Sequence, residues 1–130
     1  MRTARLMLVS FVSLLALVAG GAEAAQQRPY TDRAFAQAQD AGKAILIEIH
    51  ADWCPTCKAQ LPILDRLSAR PPYADIVRLR VDFDAQKRAV SLFRATTQST
   101  LVLYRGRVEL ARSVGETREA SIRAMLDQAF

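Results

Sequence analysis

The apolar positions change period repeatedly along the chain, and each change marks an element. Thr31 and Asp32 can cap free backbone N–H groups, and the segment after them predicts a helix that ends at Gly42. Ala44-Ile-Leu-Ile-Glu-Ile-His50 is a nearly continuous β-branched run of strand length, broken only by Glu48. It predicts a central strand buried on both faces. Leu61, Leu64 and Leu67 then recur at helical spacing until Pro71-Pro72 stops the pattern, with Pro62 predicting a kink or break. Ile76–Asp82 alternates as a second strand, and Ala85–Arg94 reads as a short helix. Thr100–Tyr104 and Val108–Arg112 flank Arg105-Gly106-Arg107, the signature of a hairpin. Thr117 is placed to cap a last helix whose apolar face holds Ile122, Met125 and Leu126. The order is α-β-α-β-α-β-β-α, with a short first strand near Gln27–Tyr30. That order predicts an α/β fold with a mixed sheet covered by helices.

The N-terminus follows a different rule. Arg2 and Arg5 precede an apolar run from Leu6 to Ala19, and a small-x-small step stands at Ala22-Glu23-Ala24. A positive start, a short apolar core and a small-residue exit make a secretory signal peptide. The run is 14 residues, where a bilayer-spanning helix needs roughly 20. Residues 1–24 are therefore expected to be removed, leaving one domain over 25–130 that faces the periplasm if the host is Gram-negative. An uncleaved N-terminal membrane anchor is the alternative.

Charge excludes one class of partner. The chain carries +5 overall, and without Arg2, Arg5 and Glu23 it keeps 16 basic and 12 acidic residues. The basic residues are scattered and lack aromatic interleaving, so no nucleic-acid surface is indicated. A monomer whose partners are other proteins is expected.

The chemistry lies in "HADWCPTCK", residues 50–58, which holds the only two cysteines, Cys54 and Cys57. A bridge between them would close too small a loop to restrict the unfolded chain, so a structural staple is excluded. Placed between a buried strand and a helix start, Cys54 would lie exposed at free N–H groups that favour its thiolate. Cys57, one turn on, would face inward. Cys54 can then attack a partner disulfide and Cys57 can resolve the mixed disulfide. The electrons travel on the cysteines, so no cofactor is needed. Glu48, a carboxylate in an apolar strand, is costly without a task. It is expected to share a strand face with His50 and exchange a proton with Cys57, or else to pair with Lys58, Arg78 or another base. Two other readings stay open: metal handling, with copper held by the two thiolates near His50, and a non-catalytic binding module.

"ADWCPTCK" resembles the active-site segment of thioredoxins. The resemblance continues through "VDFD" at Val81–Asp84, "STLVLYRGR" at Ser99–Arg107, Gly115 and the last helix. It implies the thioredoxin fold, a central mixed β-sheet flanked by helices. It also implies Cys54 as nucleophile, Cys57 as resolving thiol, Glu48 as the buried acid and Trp53 as the flanking aromatic. Pro55, Thr56, Lys58, His50, Ser99 and Thr100 would shape the site. Protein thiols and disulfides would be the substrates. One position departs: Ser99 stands where thioredoxins carry a cis-proline, and a trans Gln98–Ser99 bond is expected because a cis bond before a non-proline costs several kcal/mol. The compact form resembles reductive periplasmic thioredoxins kept reduced by a membrane electron donor, which points to a reductase of protein disulfides.

Overall fold

The computed structural model describes residues 27–130, so the proposed signal peptide lies outside the described residues. A five-stranded sheet runs through the molecule in the order β1-β3-β2-β4-β5. The strands are β1 (Arg28–Pro29), β2 (Ala44–His50), β3 (Val77–Asp82), β4 (Thr100–Arg105) and β5 (Val108–Val114). The helices are α1 (Asp32–Asp40), α2 (Pro55–Ser68), α3 (Lys87–Leu92) and α4 (Glu119–Leu126). Short 3-10 turns stand at Tyr73–Asp75 and Asp127–Ala129. β1, β3 and β2 are parallel, while β4 is antiparallel to both β2 and β5. The mixed sheet and its helical cover are those expected from the apolar pattern.

β2 is central and every one of its residues is buried. Alternation along it feeds two cores. Ile45, Ile47 and Ile49 join Tyr30, Ala38, Leu79, Val81, Val90 and Phe93 under α1 and α3. Ala44 and Leu46 join Leu64, Leu67, Leu101, Leu103, Ile122 and Leu126 under α2 and α4. Glu48 and His50 therefore belong to the α2 side.

Local chemistry explains most element ends. Thr31 caps α1, its hydroxyl accepting from the Ala34 N–H at 3.0 Å. Gly42, at φ +64°, takes the left-handed position that ends that helix. Two details differ from expectation. Of the kink or break expected at Pro62, the break does not occur: α2 runs through Pro62, which faces solvent, where water can satisfy the carbonyl that lost its donor, and Ile63, Leu64 and Leu67 hold the helix down. α4 is capped at Arg118, not Thr117, because the Glu116 carboxylate accepts from both the Thr117 and Arg118 N–H groups.

Candidate active site

The end of β2 sets the position of the cysteines. After His50 the chain turns, the Cys54 N–H reaching back to the Ala51 carbonyl at 3.1 Å, and α2 starts at once. Cys54 is the N-cap residue, and its Sγ accepts from the Cys57 N–H at 3.1 Å, doing with sulfur what serine or aspartate does at other helix starts. Pro55 follows in the first helical position, where its missing N–H has no intrahelical partner to lose. The cap places Cys57 one turn on and inward, with its thiol 4.0 Å from the Ile49 carbonyl. Both cysteines are free thiols.

Cys54 is not exposed as expected: it and Cys57 are each about 1 % accessible, packed with Ala51 and the half-buried Phe83. Exposure was inferred from the helix start alone, whereas neighbouring loops cover the sulfur. Burial on its own would push the Cys54 thiol up. Hydrogen bonds from the Cys57 thiol, the Cys57 N–H, the Gln98 side chain and the Thr56 N–H outweigh it and bring the thiol below its ordinary value. Cys57 moves the other way, pushed up to about 11 by burial and by donating to Cys54. One thiol is thus prepared to be a thiolate and its neighbour to keep its proton.

Glu48, buried on the α2 side of β2, lies in an ionic network. Arg78, 2 % exposed, gives Nε to Glu48 Oε1 at 2.6 Å and Nη2 to Oε2 at 3.3 Å. Its Nη1 reaches Asp65 Oδ1 at 2.7 Å and Ser68 Oγ at 3.0 Å on α2. The carboxylates hold the Arg78 guanidinium above its ordinary value, although burial opposes them. Gln27 also donates to Glu48. Of the bases named as partners for Glu48, Arg78 is the one engaged; Lys58 is exposed on α2.

His50 is buried and its Nε2 lies 3.1 Å from Oδ1 of the exposed Asp52. Trp53 is exposed, its indole donating to Asp84 Oδ2 at 2.7 Å. Pro55 is exposed and Thr56 half-buried beside it. Ser99 closes the site from the β4 side. The Gln98–Ser99 bond is trans, as expected, and Ser99 adopts φ +57°, a left-handed conformation costly for a residue with a Cβ. Its N–H donates to the Ile49 carbonyl at 2.8 Å. Its carbonyl accepts from the Gly115 N–H at 3.0 Å. Thr100, buried next to it, donates to the Thr97 carbonyl at 2.8 Å.

Two contributors escaped sequence reasoning. Gln60, 4 % exposed, bridges the Ser99 carbonyl at 3.1 Å and the Glu116 carbonyl at 3.0 Å, tying α2 to two loops. Gln98, in the loop before β4, is among the groups that bring the Cys54 thiol below its ordinary value. A polar residue on the inner side of α2 was the only local signal for Gln60, and the polar run before β4 the only one for Gln98. Among the described residues no three His, Cys, Asp or Glu side chains converge as a metal-binding group.

Comparison with known proteins gives this arrangement a family. The thioredoxin family model matches residues 26–128. A thioredoxin of Chlamydia muridarum is 38 % identical over 71 residues, 55 % of this chain and 68 % of that protein. Thioredoxin-1 of Saccharomyces cerevisiae is 34 % identical over 95 residues, 71 % of this chain and 85 % of its own length. Among solved structures, Trxlp from Edwardsiella tarda superposes with a TM-score of 0.76 at 44 % identity, covering 78 % of this chain and 98 % of that one. With the helix-capping dithiol at the end of its central strand, this chain belongs to the thioredoxin family and is a thiol–disulfide oxidoreductase of the thioredoxin type.

Proposed function

We propose that the protein is a secreted reductase of protein disulfides. The observation that carries the reading is the division of labour between the two thiols. Cys54 is stabilised as a thiolate by the helix cap, and Cys57 keeps its proton until called upon. The Cys54 thiolate forms a bond to one sulfur of a partner disulfide, and the partner's S–S bond breaks, releasing a thiolate that takes up a proton. Cys57 then loses its proton and attacks Cys54 Sγ. A Cys54–Cys57 disulfide forms, the mixed disulfide breaks, and the partner leaves as a dithiol. Two electrons have moved from the protein to its partner.

Glu48 takes the Cys57 proton in this reading, and Arg78 holds the carboxylate in position for it. Trp53, Pro55, Thr56, Lys58, His50, Ser99 and Thr100 form the surface and floor on which the partner settles. The N-terminal apolar segment directs export to the periplasm, and a membrane protein returns the electrons, since the oxidised dithiol needs an outside donor for each turnover.

The test is the reduction potential of the Cys54–Cys57 couple, titrated against glutathione or dithiothreitol. A value near or below about −230 mV supports the reductase, and one near about −120 mV makes the protein an oxidant of folding chains. Mass spectrometry of the N-terminus in fractionated cells tests export. An intact N-terminus in the cytoplasm overturns that part.

A further inference from the structure

We propose that a groove at the end of the sheet remote from the dithiol docks an extended acidic segment of a partner protein, held by guanidinium groups over a proline-lined floor. The site does not rest on the redox chemistry proposed above; it adds a second place at which a partner is held.

Two cavities make the groove. One, of about 290 Å³, lies between the end of α2 and α4, with Arg66, Arg70 and Arg123 around Leu67 and Tyr73. The other, of about 500 Å³, lies where β2 starts and β4 ends, among Lys43, Arg105 and Phe130. Pro71 and Pro72 line both. The Tyr73 ring of the first meets the Phe130 ring of the second edge-on, with centroids 5.6 Å apart. Ala44 pairs with Arg105 at this end of the sheet, and β2 runs from there through seven residues to His50, beside the cysteines. At about 3.3 Å per residue the strand sets the groove about 20 Å from the dithiol. A partner held here leaves the sulfurs free.

Charge is the first argument. Five basic side chains line the groove against two acidic ones, Asp75 and Glu119. The rest of residues 27–130 is almost neutral, with eleven basic and ten acidic side chains. Basic residues that are scattered along the chain are thus gathered by the fold into one concave surface, which attracts an acidic partner.

Second, the groove already holds a carboxylate. Arg66 Nη2 donates to Glu119 Oε2 at 2.8 Å, and Arg123 Nη2 to Oε1 at 3.2 Å. The Arg66 hydrogen bond holds the Glu119 carboxyl below its ordinary value. A guanidinium has five N–H donors, so both arginines keep donors for another carboxylate. Arg70 and Lys43 have no ion-pair partner among the described residues.

Third, the floor suits an extended chain. Pro71 and Pro72 are exposed and Phe130 is half-exposed, an apolar surface stiffened by two fixed φ angles. Little of it has to be ordered on binding. A segment of alternating acidic and apolar side chains sets carboxylates on the guanidiniums and apolar groups on the prolines. Asp75 and Glu119 stand within the groove, where they repel a continuous phosphate backbone and so favour a protein segment over a nucleic acid.

The test is fluorescence anisotropy of a labelled peptide of alternating glutamate and leucine, titrated with the protein at low and at physiological ionic strength. Saturable binding that weakens with salt is expected. Arg70→Glu is expected to weaken it about tenfold, the worth of one charge-assisted hydrogen bond. Arg33→Glu reverses an exposed arginine on α1, changes the net charge equally and is expected to alter binding little. Glu119→Gln, which frees both guanidiniums, is expected to tighten it, and Cys54→Ser to leave it unchanged. Absence of binding, equal weakening by Arg70→Glu and Arg33→Glu, or weaker binding in Glu119→Gln overturns the proposal. So does loss of binding in Cys54→Ser, which places the peptide at the dithiol, or displacement by an equimolar single-stranded oligonucleotide, which makes nucleic acid the occupant. The reduction potential that tests the reductase reading is measured without the peptide, so either reading can fail alone.

Discussion

The two faces of the sheet are built on different principles. Under α1 and α3 the packing is apolar and aromatic. Phe93 meets Tyr30 and Phe35 edge-on with ring centroids 5.3 and 5.2 Å apart, and Phe35 meets Tyr104 at 5.3 Å. Under α2 and α4 the aliphatic core is interrupted by a buried Glu48–Arg78 pair tied to Asp65 and Ser68 in the last turns of α2. The aromatic face stabilises by removing area from water, a term that depends little on direction. The ionic face gains little net stability, because desolvating both charges offsets their attraction. Its contribution is geometry: Arg78 links β3 and β2 to the last turns of α2, at Asp65 and Ser68, and so fixes how that helix lies on the sheet. One face supplies stability, and the other holds the site in register.

Truncation on either face is expected to be costly, with different consequences for the thiols. Phe93→Ala should lose about 3–5 kcal/mol in urea denaturation and leave the Cys54 alkylation pKa unchanged. Arg78→Met should lose a similar amount, about 3–5 kcal/mol, because it strands Glu48 uncompensated. Adding Glu48→Gln to Arg78→Met should then recover most of that loss. A double variant no more stable than Arg78→Met alone would show that the ionic face also acts through packing.

Next in size is a difference within the dithiol. With Cys54 below its ordinary value, its alkylation rate should already be levelling off where an ordinary thiol is still gaining. Cys57 should remain protonated and unreactive until the pH approaches about 11. Mass spectrometry of single-alkylated protein checks this, and equal labelling at pH 8 would remove the asymmetry on which the mechanism depends. Glu48→Gln should slow release of the partner between pH 6 and 9 while leaving Cys54 alkylation unaltered; unchanged transfer rates would remove Glu48 from the proton path. The smallest effect belongs to the surface of α4. Glu119 pairs with Arg66 and Arg123 at the solvent-facing surface, so Glu119→Ala should leave the urea midpoint almost unchanged.

How far the site could be read from sequence follows from how local each signal is. Cys54, Cys57, Pro55 and Trp53 lie within five consecutive residues, and β2 announced itself as a continuous apolar run with Glu48 as its one anomaly. The cap of α4 was misplaced by one residue because Glu116 competes with Thr117 for the same N–H groups. The exposure of Cys54 was misjudged because burial at a helix start depends on which loops fold over it. Arg78 was nameable only as one candidate base among several.

The order of elements, the central strand, the dithiol at its end and the anomalous carboxylate are legible along the chain, since periodicity and short spacings act within one or two turns. What surrounds them comes from the packing of distant segments. Arg78 lies 30 positions from Glu48, Gln60 39 positions from Ser99, and the Ser99 N–H reaches the Ile49 carbonyl only when β4 lies beside β2. No local pattern encodes such pairings, because they form when the sheet assembles and the desolvation of each polar group has to be met by whichever partner the fold brings to it.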